Sequence, residues 1–222
     1  MSSNKTPNHD AETVLHARLG LQCPSRVIWI AFAKYIVLIQ LLWLVVYGGA
    51  DWVAASHSYR VRLHLDFELG IPLIPASSIV YLSLFPLLWL SPFVLHTTML
   101  LHGFAKALAS LIVLSGIGFL VLPSQPAYEL SEATGPFAEI FHFMDSVNLS
   151  HNMCPSLHVG MAAVCAYFYS CVLARKYAVV ICIWAFAIAL STLFAHEHHL
   201  VDVIAGGIVG YLIAKFVFLR MP

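Results

Sequence analysis

Six stretches of this chain are apolar over close to the length a helix needs to cross a bilayer, and nothing else in the sequence constrains the fold as strongly. A helical span of the hydrocarbon takes roughly 20 residues. The stretches are Val27 to Gly48, Ala76 to Leu95, Thr98 to Leu122, Leu157 to Leu173, Ala178 to Ala195, and Leu200 to Phe218. The second contains Pro86 and Pro92 and is expected to bend. Composition agrees, since only 10% of the 222 residues are charged where a soluble domain carries about 25%. The expected fold is all-α, an integral membrane bundle of six transmembrane helices. It occupies residues 27–222 as one domain, after a polar cytoplasmic segment at 1–26.

The same composition narrows the partners. Net charge is zero with histidine neutral, and there is no basic tract, so no nucleic acid is expected. Five cysteines form no CxxC pair, which argues against a disulfide framework or a zinc knuckle. His196, His198 and His199 are close together, but an HExxH zinc pattern would need histidine at position 200, which is Leu200. Neighbours on a helix also point too far apart to share one ion. Neither a metal nor another cofactor is expected.

Basic residues set the orientation. Lys5, Arg18 and Arg26 precede the first stretch, Arg175 and Lys176 separate the fourth from the fifth, and Arg220 follows the sixth. With six spans all of these face the cytoplasm. The loop from Pro123 to Pro155 holds Glu129, Glu132, Glu139 and Asp145 but no Lys or Arg, and belongs outside. Phe137, Phe141 and Phe143 within it read as an amphipathic stretch at the interface. The expected location is a bacterial inner membrane with this face toward the periplasm, or a lumenal face in a eukaryotic source.

Two polar motifs then fall on that outer surface. "HLVD" at 199–202 follows His198, and His198 and Asp202 are four apart, so a helix would make them neighbours. A carboxylate there can take the proton of one ring nitrogen and leave the other free as a nucleophile. "PSLH" at 155–158 puts Pro155 at a helix start, where the Ser156 hydroxyl and unpaired N–H groups form a natural phosphate site. His158 is placed to protonate a leaving oxygen.

Pro155-Ser156-Leu157-His158, followed by Ser191-Thr192, five residues, His198, three residues and Asp202, resembles the paired motifs of the type-2 phosphatidic acid phosphatase superfamily. That family reads PSGH, then SR, five residues, H, three residues, D. The resemblance implies a membrane enzyme acting on lipid phosphate head groups. His198 would form a phosphohistidine, Asp202 would orient it, and His158 would act as general acid. Ser156 and Ser191 would hydrogen-bond phosphate oxygens.

The departures bear on substrate. Family phosphatases carry a KxxxxxxRP pattern upstream and an Arg after the Ser of the last motif. Here Gln125-Pro126 stands where Arg-Pro is expected, Thr192 replaces the Arg, and Leu157 replaces the Gly. A cation about 4 Å away contributes roughly 4 kcal/mol at an effective dielectric near 20, so its loss penalises a dianionic monoester most. The pattern leans toward a phosphodiester and head-group transfer, as in sphingomyelin and inositol phosphorylceramide synthases. "DFELGIPLIP" at 66–75 also looks like the inositolphosphotransferase-like branch. Against this, Arg60 or Arg62 in the first outer loop could reach the phosphate, as could Gln125. The alternatives are a lipid phosphate phosphatase and, in another class, a non-catalytic membrane protein or transporter. His196 and His199 read as interfacial histidines beside the site.

Orientation is directly testable. Cysteines introduced at Glu129 and Lys176 should react with an impermeant thiol reagent from opposite sides of the membrane. Labelling of both from one side would separate the two motifs.

Overall fold

The computed structural model of the protein describes residues 20–124, 127–128, 133–149 and 151–221. Among these residues the architecture is entirely helical, with no strand. The chain runs through α1 (Arg26–Ala55), a 3-10 turn (Asp66–Gly70), α2 (Ser77–Leu82), α3 (Leu84–Trp89), α4 (Ser91–Val94) and α5 (Thr98–Val121). It continues through α6 (Ala138–Val147), α7 (Leu157–Val172), α8 (Arg175–Phe194) and α9 (Leu200–Phe218). Short hydroxyl side chains open three of them. Ser25, Thr97 and Ser156 accept the backbone N–H of Ile28, Leu100 and Val159, each satisfying a donor the helix cannot pair internally.

Four helices, α1, α5, α8 and α9, are long and apolar enough to cross a membrane, so the six-span expectation is met in part. The second expected span is not one bent helix but three short ones, because Pro86 and Pro92 each remove a donor and crowd the preceding turn. Side chains from neighbouring helices bond into the broken stretch, one to a backbone carbonyl and one to a side-chain hydroxyl, as low-dielectric surroundings favour. The Tyr169 hydroxyl donates to the Leu87 carbonyl at 2.9 Å, and the Trp184 indole donates to Ser83 Oγ at 2.8 Å. The fourth expected span, α7, has 16 residues. That is about 24 Å of helix, short of the ~30 Å hydrocarbon thickness. α1 exceeds expectation and runs past Gly48 to Ala55.

α7 sits at the centre of the bundle. Val164, Cys165, Phe168 and Tyr169 are fully buried, and the helix packs on α3, α5, α8 and α9. α1 instead lies along α5 and buries only Ile28, Ala50 and Ala54, so most of its surface is left for lipid.

The seam between α7 and α9 fixes where the two motifs stand. A Cβ on Gly206 would lie 2.3 Å from the Ser156 carbonyl oxygen, and one on Gly210 would lie 2.4 Å from that of Gly160. The obstacles are backbone atoms of the central helix, which cannot rotate aside. Glycine at both positions lets the backbones touch, as small residues do between membrane helices. At the end of this seam the Ser156 N–H donates to the Asp202 carbonyl at 3.0 Å. The first turns of α7 and α9 are thereby clasped together.

Gly206→Ala and Gly210→Ala should each destabilise the protein by about 1–3 kcal/mol, the usual cost of overpacking. Gly207→Ala, whose Cβ would find its nearest neighbour at 3.9 Å, should be tolerated. Thermal unfolding in detergent compares the three. Equal midpoints would show that the seam carries no such constraint.

Candidate active site

His198 is not on a helix. α9 begins at Leu200 with His199 as its N-cap, so the assumption that 198–202 form one helical turn is corrected. The pair still meets. The Asp202 carboxylate reaches back from the third helical position, and its Oδ2 accepts the His199 N–H at 2.9 Å. The same Oδ2 lies 3.8 Å from His198 Nδ1. This is beyond hydrogen-bond reach, but a small closing movement would complete the contact, and catalytic hydrogen bonds often tighten only when substrate binds. Asp202 is fully buried and His198 is 7% exposed. Nδ1 faces the carboxylate, which leaves Nε2 as the free ring nitrogen.

The loop before α9 is held in place by aromatic and polar contacts. The N–H groups of Glu197 and His198 both donate to the Thr192 carbonyl, at 3.0 and 3.2 Å. His196 takes a left-handed backbone, with φ of 58°, which is costly for a residue with a Cβ. Its ring is fixed by a 2.9 Å contact of Nε2 with the Ile71 carbonyl and by stacking on Tyr128 at 3.9 Å. Tyr128 also stacks on His199 at 4.5 Å and donates its hydroxyl to the His198 carbonyl. His199 is not interfacial, as the sequence reading had it, but 2% exposed. Its Nε2 accepts the Ala127 N–H at 3.1 Å, and its Nδ1 faces Glu68 Oε2 at 3.3 Å. Burial holds its pKa below the usual histidine range, against the opposing pull of Asp202 and Glu68.

His158, the second residue of α7, stands across from this loop. Its Nε2 is 2.7 Å from the Tyr81 carbonyl oxygen, and its ring stacks on the Tyr81 ring at 3.7 Å. The Tyr81 hydroxyl donates to Asn148 Oδ1, and Asn148 Nδ2 donates to Glu197 Oε2 at 2.7 Å. Asn148, the first residue of a glycosylation sequon, therefore spends its amide inside the site. His158 and His198 line one cavity of about 340 Å³ together with Tyr47, Tyr81, Asn148 and Asn152. The cavity continues between α1, α3 and α5, where Phe32, Ile39, Trp43, Leu88 and Phe104 make its walls apolar. Among the described residues that line it there is no Lys or Arg.

The remaining expected phosphate contacts are distributed differently. Ser156 caps α7 and is fully buried. The Ser191 hydroxyl, also buried, donates to the Ile188 carbonyl in its own helix at 2.7 Å. Neither arginine of the first outer loop is directed to the histidines. Arg60 donates to the carbonyls of His57 and Tyr59, and Arg62 pairs with Asp66. Gln125 lies outside the described residues. The interfacial helix expected from Phe137, Phe141 and Phe143 is α6, with Phe141 packed inward near Tyr81 and Phe143 left exposed. Among the described residues no group of three or more His, Cys, Asp and Glu could hold a metal ion.

Glu68, Tyr81, Asn148 and Glu197 were not read as site residues. An acid in a short outer loop gives no periodic or motif signal. The available cue is a pair of acids, Asp66 and Glu68, opening the largely apolar stretch "DFELGIPLIP". Residues 93–222 match the model of the PAP2 superfamily. No solved structure matches the chain.

The Glu197 carboxyl yields a pH prediction. Burial pushes its pKa up to about 7 from an ordinary 4.5, and the charge of Asp145 adds to the rise. Between these values the unfolded chain has lost the proton while the folded one keeps it, so stability falls as pH rises through the window. Glu197→Gln keeps an acceptor for Asn148 and removes the titration. It should be more stable than the parent at about pH 8, with the difference fading toward about pH 4.5. Parallel melting-temperature profiles across that range would contradict the assignment.

Proposed function

The chain belongs to the PAP2 superfamily, whose members are phosphatases or phosphotransferases of lipid phosphates, and from that premise we propose that it transfers a phosphodiester head group between lipids through a phosphohistidine on His198. The observation that carries this reading is the lack of cations: among the described residues, no Lys or Arg lines the cavity that holds both histidines. Tyr47, Tyr81, Asn148 and Asn152 are the uncharged polar residues that line it with them. A diester brings one negative charge to such a site and a monoester nearly two. Uncompensated charge in a low-dielectric cavity is costly, so the monoanion is the better guest. The apolar extension of the cavity suits the hydrocarbon of a membrane lipid.

In the proposed first step His198 Nε2 attacks phosphorus, and the bond from phosphorus to the leaving alcohol oxygen breaks. Asp202 steadies the proton on Nδ1 and the positive charge that forms on the ring. His158 gives the leaving oxygen its proton. With Nε2 of His158 directed to the Tyr81 carbonyl, Nδ1 is the atom open for that transfer. In the second step an acceptor hydroxyl loses its proton to His158 and attacks phosphorus, which releases His198. Acid and base assistance of this kind is worth ~10²–10⁴ in rate. Water in place of the acceptor would release the phospho-head group from a diester, and inorganic phosphate only from a monoester, which is the phosphatase reaction.

Purified protein should be incubated with labelled phosphatidic acid, phosphatidylglycerol phosphate and phosphatidylinositol. The expected result is labelled head group moved from the diester to a lipid hydroxyl, with little inorganic phosphate from the monoesters. His198→Ala should abolish both turnover and the acid-labile adduct while the protein still folds. Rapid phosphate release from phosphatidic acid, with no transfer from the diester, would replace this reading with the phosphatase one.

A further inference from the structure

Glu68 is a carboxylate with no exposed surface, contributed by the 3-10 turn of the first outer loop. Buried charges are rare unless several donors compensate them, and here two backbone N–H groups do so, with the His199 ring beside them. Oε1 accepts the Leu65 N–H at 3.0 Å, and Oε2 accepts the Leu200 N–H at 2.7 Å. His199 Nδ1 stands 3.3 Å from the same Oε2. Because His199 Nε2 is an acceptor for Ala127, a neutral ring carries its proton on Nδ1, toward Glu68. Glu68 also precedes the residues matched to the superfamily, which begin at 93.

Leu200 and His199 are the residues from which α9 hangs its reactive end. Glu68 holds the N–H of the first, and Asp202 Oδ2 holds the N–H of the second while facing His198 Nδ1. Two carboxylates thus divide the opening N–H groups of one helix, where negative charge is favoured by the helix dipole. If the Glu68 grip were released, the Leu200 N–H would be left to compete for Asp202. That would draw Asp202 Oδ2 away from His198.

We propose that Glu68 is a positioning residue for the His198–Asp202 pair, acting through the first turn of α9 and the His199 ring. The kinetic part of this inference rests on the phosphohistidine reading above; the geometric part does not. Glu68→Gln is the informative change, because an amide keeps the shape but puts one acceptor and one donor where the carboxylate has two acceptors.

Three measurements test it. On the lipid substrate, kcat should fall about 10- to 100-fold, the usual penalty for disturbing an outer-shell partner, with KM unchanged. The loss should largely vanish in an Asp202→Asn background, since both changes act on one element. The ring nitrogen resonances of His198, assigned by their absence in His198→Gln, should shift in Glu68→Gln protein that melts cooperatively. An unchanged kcat, an undiminished loss beside Asp202→Asn, or unmoved His198 resonances would each overturn the proposal. Should the parent protein transfer no phosphoryl group at all, the functional reading fails and the resonances alone decide on Glu68. If Glu68→Gln does not fold, Glu68→Asp, which withdraws both acceptors by one methylene, is measured in the same way and judged by the same outcomes.

Discussion

The contact on which everything else depends is the meeting of two backbones, α7 and α9, at Gly206 and Gly210. No side chain separates Gly206 from the Ser156 carbonyl or Gly210 from Gly160. That closeness lets the Ser156 N–H bond to the Asp202 carbonyl, so each motif is registered against the other within a hydrogen-bond length. Van der Waals contact is the main force that can hold helices together where the surrounding lipid is as apolar as the side chains. A site built on such a seam is placed by rigid backbone rather than by flexible side chains, which is what phosphoryl chemistry needs from its scaffold.

Around that seam the polar groups form two separate chains that end on the two histidines. One passes from Glu68 through His199 and the α9 N-terminus to Asp202 and His198. The other passes from Glu197 through Asn148 to Tyr81 and so to His158. The first contains the buried carboxylates of Glu68 and Asp202 and the second the partly buried one of Glu197, and no Lys or Arg is among the partners named for either. In a low-dielectric site a permanent cation would bind a dianion tightly and hold it. Neutral donors bind it less strongly and release it more readily.

Most of the residues in these chains come from loops that the central helices fix at their ends. Glu68 lies between α1 and α2, Asn148 between α6 and α7, and Glu197 between α8 and α9. The broken stretch α2–α4 belongs to the same economy. Its prolines cost a continuous helix, its side chains form part of the cavity wall with His158, and Tyr169 takes up the Leu87 carbonyl while Trp184 bonds the Ser83 hydroxyl.

By itself the sequence determined the helical membrane character, because runs of apolar residues have few other stable solutions in lipid. It also determined the family and the His158, His198 and Asp202 constellation, because each motif is local and its spacing is written in the chain. Four of the six expected spans stand as full-length apolar helices, and the prolines at 86 and 92 marked where another would break. Only the tertiary structure decided that His198 precedes α9 rather than riding on it, since a side chain four residues ahead can be reached either along a helix or back around its cap. It alone turned His199 from a surface histidine into a buried one and brought Glu68 to it across more than a hundred residues. It alone showed what Arg60 and Arg62 bond to within their own loop. The reason is physical: composition and periodicity report which face of an element is apolar, whereas the partner of a lone buried charge is chosen by packing between segments that are remote in the chain.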